Sequence, residues 1–352
     1  MTSDLSTLAA STGSDGVPLR DRVPAPERID LPETEGIEWR PASADDLDLL
    51  EPLYAAMGRA DHPNYIVSRE EIEEELGHSW VDPAADTLLG VHRDGVAAAF
   101  GQVVLTPGKE TLVRSILFGG VHPDFRGNGI GRQLLAWQEA RALQQLATVE
   151  LTLPGWILLY ADGRSERTHR LAASAGFAPA RYFTGLSRVL ADPIPELPLP
   201  GGVRIEPYRA ELSAATLEAK NAAFRDHWGS QPMSAEQWES MLGLSVFRPD
   251  LSFLALAGDQ VVGFLTSEVN EDDWEGQGYS SGYIPLVGVV REWRRKGIAP
   301  ALLARAFSAF RAEGLERAVL DVDSDNPTGA LGLYTGMGFV QETRETAFSK
   351  VF

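Results

Sequence analysis

The chain's 352 residues exceed what one core usually holds and suit two domains. Its formal net charge of −19 at pH 7 argues against a general nucleic-acid partner, because phosphate contacts require a basic surface. It contains no cysteine and only six histidines, which excludes disulfides and a thiol nucleophile and leads us to expect no metal site.

The N-terminal residues are rich in Ser, Thr, Pro, Gly and Asp and show no apolar period. We therefore predict that residues 1–35 form a disordered or extended arm. The arm begins without the basic region and apolar stretch of a secretory signal. No apolar run in the chain is long enough for a transmembrane helix. We expect a cytoplasmic protein with no membrane partner.

Two segments of similar sequence follow, residues 36–190 and 202–352, joined by a Pro-rich linker at 191–201. Each begins with a short strand and continues to a predicted β-hairpin, with the turn at Asp94-Gly95 or Gly258-Asp259. Each then contains an apolar strand, a glycine turn, an amphipathic helix and a later Gly-Phe pair. These landmarks recur in the same order about 165 residues apart, which indicates an internal duplication.

The glycine turns are the most informative motif of the chain. They read Arg126-Gly127-Asn128-Gly129-Ile130-Gly131 and Arg294-Arg295-Lys296-Gly297-Ile298-Ala299. Backbone N–H groups at a helix N-terminus lack internal partners, and the helix dipole favours negative charge there, so each turn is a candidate anion site. Glycine can also serve only a left-handed turn. The basic residues of the second turn either contact phosphates or form a solvated charged turn.

The second segment carries a further signature after its glycine turn. It consists of Asn326, then Ala330, Leu333 and Tyr334, then Gly338-Phe339. Together with the turn pattern Gln/Arg-x-x-Gly-x-Gly/Ala, this resembles the GNAT acetyltransferase superfamily, over nearly all of residues 36–352. The tandem arrangement is similar to that of mycothiol synthase-like actinobacterial proteins.

The mixture of strands and helices predicts an α/β fold of the mixed α+β kind, with helices on the faces of a sheet. The resemblance implies two tandem GNAT-like domains. Each would have a mostly antiparallel mixed sheet with a splayed central strand pair, flanked by helices. In the second domain, the helix after the glycine turn has an apolar face with a 3.6-residue period. That face consists of Leu302, Leu303, Ala306, Phe307 and Phe310.

The resemblance also implies the chemistry. Acetyl-CoA, or another short acyl-CoA, would be the co-substrate, with its pyrophosphate on the amides of the glycine turn and its pantetheine along Val287–Val289. A neutral amine would attack the thioester directly, and a backbone N–H near Val289 would stabilise the oxyanion. Tyr334 would protonate the departing sulfur as general acid, although such a tyrosine can also be a core residue. Asn326 would contact CoA, cap a helix, or do both.

The general base is the least constrained assignment. Tyr283 stands where mycothiol synthase-like proteins place a glutamate, so the sequence departs from their pattern there. Glu268, at the end of the hairpin's second strand, is our candidate base. The alternative is that Glu268 is an exposed carboxylate of an acidic strand end.

The first segment is altered at the later signature. Its strand end Val121 and its turn Arg126–Gly131 are candidate CoA contacts, but Ala172 stands at the position of Tyr334 and Arg164 at that of Asn326. Loss of a general acid commonly costs roughly two to four powers of ten in rate. We therefore expect a degenerate first domain, which binds CoA or only supports the fold, and a catalytic second domain.

The sequence thus predicts an N-acetyltransferase that acts on the primary amine of a small molecule, as a monomer or a homodimer. Two alternatives remain open. One is a non-catalytic acyl-CoA-binding sensor or scaffold protein, and the other is a protein or peptide N-acetyltransferase.

Overall fold

The computed structural model describes residues 16–325 and 329–352. The chain divides into two compact units. The first consists of the residues up to Tyr182 together with Glu345–Phe352, and the second is Phe183–Arg344.

The first unit has a six-stranded sheet in the order β1-β2-β3-β4-β5-β12. Its strands are β1 (Ile37–Arg40), β2 (Thr87–His92), β3 (Ala97–Leu105), β4 (Val113–Val121), β5 (Gly155–Asp162) and the end of β12 (Val340–Val351). Its helices are α1 (Leu19–Arg22), α2 (Leu47–Asp61), α3 (Arg69–Gly77), α4 (Pro83–Asp86), α5 (Ile130–Leu146) and α6 (Glu166–Ser174). All described strand pairs in this sheet are antiparallel except β4 with β5.

The second unit repeats this arrangement in the order β6-β11-β10-β9-β8-β7. Its strands are β6 (Ala178–Val189), β7 (Val203–Pro207), β8 (Phe253–Ala257), β9 (Gln260–Glu268), β10 (Ser281–Val289) and β11 (Arg317–Asp323). Its helices are α7 (Ser213–Phe224), α8 (Ala235–Gly243), α9 (Asp272–Gln277), α10 (Ile298–Ala312) and α11 (Ala330–Gly336). Here β10 and β11 form the parallel pair.

The parallel pair separates along its length in both units. In the first unit, Val113–Ile116 pair with Gly155–Leu158, and the described pairing then stops. In the second unit, Ser281–Tyr283 pair with Arg317–Val319, and the described pairing of β10 with β11 ends there. A wedge therefore opens between the two central strands of each sheet. This confirms the predicted fold, two mixed and mostly antiparallel sheets with a splayed central pair.

The last strand of each repeat lies in the other unit. Phe183–Val189, from the first repeat, pair with Arg317–Asp323 in the second unit. Glu345–Val351, at the end of the second repeat, pair with Trp156–Asp162 in the first unit. The compact units therefore differ from the segments 36–190 and 202–352 by one exchanged strand each. The two exchanged strands follow equivalent turns, Gly176-Phe177 and Gly338-Phe339.

Local sequence explains the helix boundaries that matter for the site. The helices α3 and α8 begin with the same capping box, Ser68 with Glu71 and Ser234 with Gln237, in which each side chain bonds the other's backbone N–H. The predicted apolar face of α10 is buried in the core of the second unit, and Gly314 follows the helix with φ +84°. None of the described helices has both the length and the apolarity needed to cross a membrane.

Part of the predicted N-terminal arm is ordered. In α1, Leu19 is fully buried in the core of the first unit, and its N–H donates to the carbonyl of Leu151. Residues 24–35 form no helix or strand. The start of the arm, residues 1–15, lies outside the described residues.

Candidate active site

The glycine turn of the second unit leaves backbone donors open at the start of α10. Gly297 is the N-cap residue with φ +81°, and no described side chain caps this helix end. The N–H groups of Ile298 and Ala299, in the first turn, have no partner within the helix. A Cβ at Gly297 would come no closer than 3.7 Å to a described atom, the carbonyl oxygen of Pro198. The turn is therefore open to a ligand, as an anion site requires.

The structure separates the roles of the basic residues in this turn. Arg294 is turned inward and fixes the loop: its Nε donates to the carbonyl of Val289 (3.2 Å), and one Nη donates to that of Ala223 (2.7 Å). The other Nη contacts Asp226 at 3.2 Å. Arg295 and Lys296 are exposed, and the Lys296 ammonium lies 4.4 Å from the ring centroid of Trp293. Only the latter two are free to meet phosphate groups.

Beside this turn, the strand β10 presents an open edge. On one side Val287 and Val289 pair with Leu265 and Gly263 of β9. On the other side, the described pairing with β11 has already ended at Tyr283. Apart from the Val289 carbonyl, which Arg294 occupies, the outward main-chain groups of residues 284–289 are therefore available to an extended ligand, in the manner of an added strand.

A bulge in β10 changes the face of the sheet on which Tyr283 lies. The register with β9 shifts between Tyr283 and Leu286, and Pro285, which has no N–H to donate, lies inside the shift. Before the bulge, Gly282 faces α10, because a Cβ there would lie 2.6 Å from the Phe310 ring. Side chains alternate along a strand, so Tyr283 faces the opposite side of the sheet.

On that opposite face, Tyr283 joins two carboxylates. It lies directly opposite Glu268 of β9, and its hydroxyl donates to Oδ2 of Asp321 on β11 at 3.1 Å. The Asp321 side chain is exposed at the wedge. The surrounding protein nevertheless removes part of its hydration, which raises the pKa of the carboxyl, and the Tyr283 hydrogen bond offsets part of this rise. Sequence reasoning missed Asp321. The available signal was a charged residue in the middle of the otherwise apolar strand Ala318–Val322.

The predicted general acid lies in the same unit. Tyr334 of α11 is 8% exposed and packs edge-on against Phe339, with 5.8 Å between the ring centroids. Burial raises the pKa of its hydroxyl to about 12, so the group is neutral at physiological pH. The hydroxyl bonds no acceptor among the described residues, which leaves it available to a ligand. The predicted CoA contact Asn326 lies outside the described residues.

The first unit has the same turn without the same surroundings. Gly129 caps α5 with φ +83°, and Arg126 anchors the loop to the carbonyl of Val121 (2.9 Å) and, through both Nη atoms, to Asp61. The position of Tyr334 is held by Ala172, which is 1% exposed. A recess of about 470 Å³ opens beside this turn. Its charged lining residues are Arg59, Asp61, Arg126, Arg164, Glu166 and Arg167.

Known proteins share both the sequence pattern and the fold. The model of the acetyltransferase (GNAT) family matches residues 50–160 and 214–339. A mycothiol acetyltransferase from Frankia alni is 31% identical over 339 residues, which cover 90% of this chain and 95% of the relative. Another, from Thermobispora bispora, is 33% identical over 238 residues, covering 65% of this chain and 74% of the relative.

Solved structures agree with this relationship. A GCN5-related N-acetyltransferase from Sphaerobacter thermophilus superposes with a TM-score of 0.66 at 27% identity, covering 92% of this chain and 97% of that one. A tandem GNAT protein from the clavulanic acid biosynthesis pathway shares the fold, with a TM-score of 0.65 at 16% identity over 90% of this chain and 98% of its own. The family model covers more than half of the chain, and the repeated wedge and glycine turn agree with it, so this protein is a tandem N-acetyltransferase of the GNAT family.

Proposed function

We propose that the second unit transfers the acetyl group of acetyl-CoA to the primary amine of a small molecule. The observation that carries this proposal is the open edge of β10, which runs from the wedge at Tyr283 to the free amides at Gly297. An extended acyl-thioester with a pyrophosphate at its far end fits such a path. The relatives' name, mycothiol acetyltransferase, supports a small-molecule acceptor rather than a protein.

Different residues of the turn and of β10 would contact different parts of acetyl-CoA. The amides of Gly297, Ile298 and Ala299 would hold the pyrophosphate, and Arg295 and Lys296 would offset its charge from the solvent side. Val287 and Val289 would pair with pantetheine through their main chain, which places the thioester near the wedge. Arg294 would act indirectly, because its guanidinium already holds the loop in shape. Asn326 remains a proposed contact of the same ligand.

The transfer itself needs an acid and a base. Tyr334 would donate its proton to the departing CoA sulfur, and its raised pKa keeps that proton in place until the thiolate forms. The base would be a carboxylate on the face that carries Tyr283. Glu268 is the residue that the sequence nominates, and it lies on that face.

The first unit would keep a binding or supporting role. Its turn retains free amides, so Gly129–Gly131 and the main chain of Val121 remain proposed CoA contacts, whereas Arg126, like Arg294, would act indirectly by holding the loop in shape. It lacks a counterpart of the tyrosine acid, since Ala172 fills that position. We therefore place the chemistry in the second unit.

A turnover assay tests the proposed reaction. The purified chain would be incubated with acetyl-CoA and, separately, with glucosamine, cysteamine or a short lysine-containing peptide, and free CoA would be measured by chromatography. We expect amine-dependent CoA release with at least one small amine. Calorimetric binding of acetyl-CoA without release on any amine would favour the sensor alternative, and release only with the peptide would favour a protein N-acetyltransferase.

A further inference from the structure

We propose that Asp321, held in place by Tyr283, is the general base that takes the proton of the attacking amine. This assignment rests on the proposed acetyl transfer in the second unit. It differs from the sequence candidate Glu268, and it places the base on β11 instead of β9 or β10.

The position of Asp321 relative to the wedge is the first argument. The pairing of β10 with β11 ends at Tyr283 and Val319. Asp321 is the next residue of β11 on the same face, two positions beyond the last pair. Its bond with Tyr283 therefore spans the two strands where they begin to part. Asp321 therefore lies at the closed end of the wedge, next to a thioester bound there along β10.

The different bonding of the two carboxylate oxygens is the second argument. In register with Asp321 on the neighbouring strand lies Gly185, and the Thr343 side chain fills the space that a Cβ there would take, 2.0 Å from Oγ1 of Thr343 and 3.2 Å from Oδ1 of Asp321. The other oxygen, Oδ2, accepts the Tyr283 hydroxyl, and no hydrogen bond to Oδ1 is formed among the described residues. One oxygen is thus positioned by the protein, and the other is left for an acceptor amine.

Glu268 is less well placed for the same role. In the order β9-β10-β11, Glu268 lies across β10 from the wedge. Neighbouring strands are about 4.8 Å apart, so the backbone of Glu268 lies one strand further than that of Asp321 from a thioester between β10 and β11. It is better placed to contact the remainder of the acceptor.

The charged surroundings of Asp321 permit proton acceptance near neutral pH. On its own strand and face lie Arg317 and Asp323, and Arg317 is paired with Glu342 of β12. Beyond Tyr283 lies Glu268, and beside Asp323 is His227, whose pKa is lowered chiefly by burial. No described cation bonds the Asp321 carboxylate, and loss of hydration raises its pKa. A carboxylate with a raised pKa is a stronger base than an ordinary one.

The proposed step balances without another reactant. The amine nitrogen uses its lone pair to form a bond to the thioester carbonyl carbon, and its N–H proton passes to the free oxygen of Asp321. The carbon–sulfur bond then breaks, and the sulfur keeps the electron pair and takes the Tyr334 proton. The products are the amide and free CoA, and solvent returns the proton from Asp321 to the Tyr334 phenolate.

Asp321→Asn and its pH profile test this assignment. In the amine panel, we expect Asp321→Asn to lower kcat/KM by about 10²- to 10⁴-fold near neutral pH. The loss should shrink as pH rises, because hydroxide can then take the N–H proton in place of the carboxylate. Asp259→Asn, an exposed change in the β8–β9 turn, is the matched control and should match the wild type. Unchanged acetyl-CoA affinity and melting temperature would exclude misfolding.

The pH profile of Tyr283→Phe distinguishes a catalytic role of Asp321 from a purely structural one. The Tyr283 hydrogen bond lowers the pKa of Asp321, so its removal should shift the acid limb of kcat/KM to higher pH. A wild-type profile in Asp321→Asn, or loss of the acid limb in Glu268→Gln instead, would overturn the role of Asp321 while leaving the acetyl transfer intact. A wild-type chain that acetylates no amine would overturn both.

Discussion

The two units share one scaffold and differ in the side chains around the wedge. Both have a splayed parallel pair, a glycine N-cap in the left-handed region, and an arginine bonded to the strand end and to an aspartate. The second unit adds Tyr334 and Asp321. The offset that relates Gly338 to Gly176 places Ala172 at the position of Tyr334 in the first unit, and Ala172 is buried.

This difference shows that the proposed cofactor turn and the proposed catalytic side chains have separate structural requirements. The turn depends on backbone geometry, which the strand–turn–helix frame supplies in both units. The proposed acid and base are single side chains, and the first unit keeps the same fold without the tyrosine. A glycine turn therefore predicts a ligand class, and the residues across the wedge predict whether a reaction follows.

Substitution of the capping glycines should give the largest contrast between the units. A carboxylate from Gly297→Glu would occupy the proposed phosphate position and remove about two charge-assisted hydrogen bonds, or ~3–6 kcal/mol. We expect the acetyl-CoA affinity of the second unit to fall by roughly 10²- to 10⁴-fold in calorimetry, and turnover to disappear.

The matched variant Gly129→Glu sharpens that contrast. We expect it to leave turnover unchanged and to lower the number of bound CoA molecules only if the first unit is a binding site. Loss of turnover in Gly129→Glu, with turnover kept in Gly297→Glu, would reverse the assignment of the two units.

The anchoring arginines should give a smaller contrast. Arg294→Ala removes bonds to two carbonyls and to Asp226, and Arg126→Ala removes bonds to one carbonyl and, through both Nη atoms, to Asp61. Each should cost roughly 1.5–3 kcal/mol of folding stability, visible as a melting temperature lower by several degrees. Only Arg294→Ala should also raise KM for acetyl-CoA. An equal rise in Arg126→Ala would contradict separate roles for the two turns.

Much of each unit was predictable from local pattern. The hairpins, the buried face of α10 and the capping glycines follow from residue spacing and turn chemistry. The exchange of β6 and β12 was not predictable, because both strands follow the same Gly-Phe turn and the local sequence does not indicate which sheet each one joins.

The candidate site was predictable in part, for a similar reason. The glycine turn and Tyr334 lie within continuous motifs, so sequence alone finds them. The pairing of Tyr283 with Asp321 depends on a bulge in β10 that turns Tyr283 to the open face, and on the meeting of two strands 38 residues apart. Likewise, only the structure shows that Arg294 faces inward while Arg295 and Lys296 face the solvent.

The most direct test of the central claim is the turnover number of Tyr334→Phe, measured together with its acetyl-CoA affinity. Tyr160→Phe in the first unit serves as the matched control. If the second unit does the chemistry, kcat of Tyr334→Phe should fall by roughly 10²-fold or more at unchanged CoA affinity, and Tyr160→Phe should keep the wild-type rate. A wild-type kcat in Tyr334→Phe, or a comparable loss in Tyr160→Phe, would contradict it.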